Sequence, residues 1–165
     1  IIDLIGSPLS AAEVTLGIIL ASVTRSFIIC IVSIICFNLI VEVNIVNYYY
    51  FLIYLLLSSF LMGSLGFIAG MWAEKFDNMA TVTNFIIVPL SFLSGTFYSI
   101  DRLPRFLQTV SEFNPFFYMI DGFRYGFLEK TDGSIFIGTI YLSILAIVLW
   151  FISYLLYKKG YKLKS

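Results

Sequence analysis

Four stretches of this chain are too apolar, for too long, to lie against water. They run over residues 14–41, 48–72, 82–98 and 135–157. Crossing a bilayer takes about 20 residues at a 1.5 Å rise each. The second run is the cleanest, the first is broken by Arg25, and the third is shorter and carries Pro89. None alternates apolar with polar residues, which argues against a β-barrel. Only 12% of the 165 residues are charged, against about 25% in ordinary soluble domains. The expected fold is therefore an all-α integral membrane domain. It has four transmembrane helices and a short re-entrant or interfacial helical hairpin on the outer side.

The hairpin comes from the long 99–134 connection. Pro104 is well placed to open a helix, and Asn114-Pro115 to stop it. This predicts short helices over 105–113 and 116–128, neither able to span a bilayer alone. Four of the last eight residues are lysines (Lys158, Lys159, Lys162 and Lys164). The positive-inside rule puts this 158–165 tail in the cytoplasm. Four crossings then place the N-terminus inside, and 42–47 and 99–134 outside. Arg102, Arg105, Arg124 and Lys130 in the outer segment run against that orientation.

Chemistry is thinly represented. The chain has no histidine, hence neither the commonest general base nor the commonest metal ligand. Cys30 and Cys36 are about 9 Å apart along a helix, too far for a disulfide, and lack metal-motif spacing. No phosphate-binding Gly-x-x-x-x-Gly-Lys-Ser/Thr occurs, and no basic stretch suits nucleic acid. Asp121 and Arg124, three apart, share a helix face and read as a structural ion pair rather than a catalytic one.

Three further features have two readings each. Arg25 has a functional role, lining a polar pathway with Ser22, Ser26 and Ser33 or forming an ion pair with another helix, or it snorkels to the headgroups. Gly66-x-x-x-Gly70 packs helices within the subunit or between two copies. Pro89, followed by the small, polar stretch through Ser94 and Gly95, is a hinge and pathway lining or simply a kinked helix end.

The stretch Pro89-Leu90-Ser91-Phe92-Leu93-Ser94-Gly95-Thr96-Phe97-Tyr98 precedes Leu103-Pro104, then Asn114-Pro115, then Asp121-Gly122-Phe123-Arg124-Tyr125. In this order and spacing they resemble the type 2 ABC transporter permease family, the membrane subunits of ATP-driven exporters. Leu4-Ile5-x-Ser7-Pro8 resembles the end of that family's cytoplasmic coupling helix. The chain is most similar to small bacterial permeases of drug, lipid-linked-sugar and polysaccharide export. Such permeases have six spans. The resemblance, with a start at Ile1 rather than Met, implies an N-terminally shortened copy keeping spans three to six. Residues 1–13 then end the coupling helix.

The resemblance implies a dimer of permease copies in the bacterial inner membrane. A separate ATPase subunit carries the ATP and Mg, with no cofactor or metal on this chain. ATPase contacts would be Asp3, Leu4, Gly6, Pro8, Glu74 and Lys75. Pathway or gating residues would be Arg25, Pro89, Ser94, Gly95, Asn114, Pro115, Asp121 and Arg124. The other readings are a non-transporting or decayed permease remnant and, from a different class, a membrane-embedded transferase.

Overall fold

The computed structural model describes residues 9–73, 76–96 and 104–160, and every regular element among them is helical. Helix α1 (Ala11–Asn38) begins at a reciprocal cap. The Glu13 amide donates to Ser10 Oγ at 3.3 Å, and the Ser10 amide donates back to the Glu13 carboxylate at 2.7 Å. Two otherwise orphaned amides are thereby satisfied. Helix α2 (Tyr48–Trp72) is capped by Asn47, and helix α7 (Ile135–Lys158) ends on its single last-turn lysine. These three are long and apolar enough to cross a membrane.

The fourth apolar run behaves differently. Its described helix starts earlier than 82–98 and stops sooner. Helix α3 (Phe76–Val82) passes into a π-helical segment (Thr83–Ile87) and then α4 (Val88–Phe92). This continuous run is about 25 Å long, against a hydrocarbon core of about 30 Å. The cause of the π segment is Pro89. Its ring would clash with the carbonyl of Phe85, and it has no N–H to offer it. The chain widens by one residue instead, and the Val88 amide donates to the Thr83 carbonyl, five residues back. Past the end of α4 the chain turns at Gly95, whose φ of 76° lies in the left-handed region.

Helices α5 (Arg105–Glu112) and α6 (Pro115–Leu128) follow, joined by Phe113 and Asn114. Their bounds fall where Pro104 and Asn114-Pro115 predict. Helix α2 is the centre of the bundle, with α1, α6 and α7 against it. The core is Tyr54 and Leu61 of α2, Met119 of α6 and Leu142 of α7. The outward faces of α1 and α7 are large aliphatic and aromatic side chains, among them Ile28, Ile35, Phe136, Ile147 and Phe151. Lipid is the solvent in which such faces are stable.

Glycines set how closely the helices approach. Gly126 lets α6 settle onto the α2 backbone, where an added Cβ would lie 3.1 Å from Phe51 Cα. Gly122 faces the Tyr54 ring, and Gly138 faces the Tyr54 hydroxyl and the Tyr118 ring. At the α1–α2 contact the packing residue is Gly63, against Ser22, whereas Gly66 and Gly70 have nothing within 4 Å. Among the described residues, therefore, Gly66-x-x-x-Gly70 packs against no other helix. Gly63→Ala should cost only about 1 kcal/mol, because the Ser22 hydroxyl can rotate away and alanine is the better helix former. Thermal unfolding in detergent checks this, and a loss above 3 kcal/mol would show that Ser22 cannot yield.

Candidate functional site

The carbonyls at the end of α4 have lost their helical partners and must find others. Most of their new partners are side chains of α5 and α6. Asn114 Nδ2 donates to the Leu90 carbonyl at 2.6 Å, and Ser111 Oγ shares its one proton between the Leu93 carbonyl and the Leu107 carbonyl of its own helix, each at 2.9 Å. Arg124 Nη2 donates to the Gly95 carbonyl at 2.8 Å. The Ser91 carbonyl is taken locally, by the hydroxyl of Ser94 and, at 3.3 Å, that of Thr96. Ser94, Ser111 and Asn114 are 2% exposed or less, so water does not compete for these bonds.

The donors are held in place in turn. Asn114 Oδ1 caps α6 by accepting from the Phe116 amide at 3.0 Å, and Pro115 fits the next position because it has no amide to satisfy. Arg124 reaches past its own helix to Asp132, with Nη1 to Oδ2 at 2.6 Å. Asp121 does not pair with Arg124, contrary to the i, i+3 expectation. Its carboxylate, 3% exposed, instead accepts from the Asp132 amide at 2.7 Å, the Gly133 amide at 3.1 Å and the Thr131 hydroxyl at 2.5 Å. The reason is geometric. The 129–134 turn folds back over α6 and brings two free amides to a carboxylate that would otherwise be buried bare. Glu129, at φ 51°, reverses the chain there.

The result is a clamp. One arm ties the end of α4 to the α5–α6 hairpin. The other, through Asp121 and the Arg124–Asp132 pair, ties the hairpin to the turn before α7. Ser94, Gly95, Asn114, Pro115, Asp121 and Arg124 all belong to it, with Pro89 one turn below. Arg25 does not. It lies midway along α1, exposed in a groove between α1 and α2. Asp3, Leu4, Gly6, Pro8, Glu74 and Lys75 lie outside the described residues.

Sequence reasoning missed Ser111, Thr131 and Asp132. The Asp132-Gly133 turn signal was legible, but its partner across the fold was not. Among the described residues no three His, Cys, Asp or Glu side chains are grouped to hold a metal ion. The clamp's polar groups are spent on backbone and on each other. Such an arrangement holds segments together; it does not present a nucleophile or a base.

Comparison with known proteins agrees with a membrane transport component. The family described as "ABC-2 type transporter" matches residues 2–128. The chain is 37% identical over 111 residues to the "Inner membrane transport permease YadH" of Escherichia coli K12, and equally to that of Shigella flexneri. The matched region is 67% of this chain and 43% of each relative, so the chain spans under half of their length. No solved structure matches significantly. Matched over most of its length, and carrying three helices fit to cross a membrane, the chain belongs to the ABC-2 type transporter family.

Proposed function

We propose that the chain lines the substrate pathway of an ATP-driven exporter in a bacterial inner membrane. It works as a pair of copies above a separate ATPase subunit that binds ATP and Mg. In this reading the α3–π–α4 run is a fourth crossing, the α5–α6 hairpin is re-entrant from the outer side, and the lysine tail is cytoplasmic.

The observation that carries the reading is the clamp. A helix loosened by a π segment and Pro89 is a natural hinge, and its far end is lashed to a hairpin by three side-chain bonds to backbone. Movement of α4 must then carry the hairpin with it. A cap over an exit needs that coupling, and a static scaffold has no use for a hinge beneath a clamp. The YadH relatives are named as inner membrane transport permeases, which supports the location and the activity.

The test is co-expression with candidate ABC ATPase subunits from the same genome. The chain and one such subunit should co-elute from detergent, with ATP hydrolysis above that of the ATPase alone. Separate elution would favour a non-transporting remnant. Asp3→Lys and Gly6→Leu, in the proposed coupling segment, should each weaken that association severalfold. Undiminished co-purification of both variants would remove those residues from the contact.

A further inference from the structure

Asn84 stands midway along the α3–π–α4 run, about 12 Å from either end. It is exposed, and among the described residues its carboxamide has no hydrogen-bond partner. The hydroxyls nearby are satisfied within the run. Thr83 Oγ1 donates to the Met79 carbonyl at 3.1 Å, and Ser91 Oγ to the Ile87 carbonyl at 2.8 Å. A bare carboxamide at that depth is costly, because hydrocarbon offers it neither donor nor acceptor. The run has two sides. Met79, Val82, Ile86 and Leu90 face α2 and α7 across a shared apolar cavity. Asn84, Val88 and Phe92, spaced four apart, lie on another side with Phe85 beside them, and all four are exposed.

We propose that this side is where two copies of the chain meet, with Asn84 of one copy hydrogen-bonded to Asn84 of the partner subunit. Symmetry selects the occupant. Two copies inserted in the same direction are related by a twofold axis along the bilayer normal, so a residue near that axis meets itself. A carboxamide is its own complement, since its amino group donates to the other's carbonyl oxygen and the reverse. A lone cation or carboxylate there would meet its own charge. Such polar side chains hold membrane helices together, and a single Asn in an apolar helix contact fixes its register. Phe85, Val88 and Phe92 supply the packing around it. The proposal rests on the reading above that the run crosses the bilayer and that copies work in pairs, and it names the surface of the pairing.

The full chain, with Cys30→Ala and Cys36→Ala, is placed in phosphatidylcholine bilayers with one new cysteine at a time and then oxidised. Val88→Cys should link two copies far more readily than Ile28→Cys or Phe151→Cys, which lie on the outward faces of α1 and α7. In the Val88→Cys background, Asn84→Leu should weaken association by about fivefold to tenfold, read from the linked fraction as lipid is added. Asn84→Gln should keep part of the association. The Tm of the separated monomer in dilute detergent should not fall in Asn84→Leu, because the lost bond lies between copies and not within one. Val88→Cys linking no better than Ile28→Cys, or association undiminished in Asn84→Leu, overturns the proposal. A lowered monomer Tm also overturns it, by showing that Asn84 is bonded inside its own copy. Linking strongest at Ile28→Cys or Phe151→Cys would move the contact to another face and leave the pairing itself standing. No linking at any of the three, with single copies by light scattering, would remove the pairing as well.

Discussion

Gly122→Ala is expected to destabilise the protein by about 3 kcal/mol, lowering Tm in detergent by roughly 6–12 °C. The added methyl would stand 2.1 Å from Tyr54 Cδ1 and Cε1, inside any permitted contact. Tyr54 is 1% exposed and cannot swing outward. Its phenol donates to the Ile135 carbonyl at 2.9 Å and accepts from Thr139 Oγ1 at 3.2 Å, so the ring is pinned at its far end. Gly138 closes the opposite side, since a Cβ there would lie 2.9 Å from Tyr54 Oη. Overpacking costs about 1–3 kcal/mol, and breaking the phenol's bond to a buried carbonyl costs about as much again. The gain in helix propensity returns only about 1 kcal/mol. Tyr54→Leu should be less harmful in the Gly122→Ala background than alone, because the two side chains share one space. A Tm within 2 °C of wild type would mean that α6 can lift from α2 without penalty.

Asn114→Ala should destabilise by about 2–4 kcal/mol, through two separable losses. One is the cap on α6, worth about 1 kcal/mol. The other is the donor to the Leu90 carbonyl, left buried beside a helix that cannot satisfy it, at about 1–3 kcal/mol. Asn114→Ser separates them. Serine keeps the capping oxygen but is too short to reach Leu90 and cap at once, so it should recover only the first loss. If the proposed coupling of α4 to the hairpin is right, both variants should also lower transport at equal folded amounts. Equal Tm for alanine and serine would show that the cap contributes nothing, and a Tm equal to wild type would discard the clamp.

The sequence carried the parts of the fold that depend on neighbours along the chain. Apolar length marked α1, α2 and α7. Pro104 and Asn114-Pro115 marked the bounds of α5 and α6 to within a residue or two. Pro89 marked a break in helical regularity, which the structure expresses as a π segment. What it carried poorly were contacts between segments. Both Gly66-x-x-x-Gly70 and Gly122-x-x-x-Gly126 have packing spacing, yet among the described residues the second is packed against another helix and the first is not. Arg124 had a carboxylate three residues away and chose one eight residues away, because the intervening turn folds back. Spacing gives the partners a residue can reach, and the turn decides among them.

The clamp has a further consequence for how substitutions will be tolerated. Its donors are particular side chains, and its acceptors are main-chain oxygens of Leu90, Leu93 and Gly95. Any residue brings a carbonyl. The α4 side of the joint can therefore change its side chains with little effect on the joint itself, so long as the left-handed turn at Gly95 survives. The hairpin side has no such freedom at Ser111, Asn114 or Arg124. Two surfaces that hold the same bonds thus differ in how much variation they admit. The α4 side is left free to vary while α5, Asn114 and α6 keep their grip.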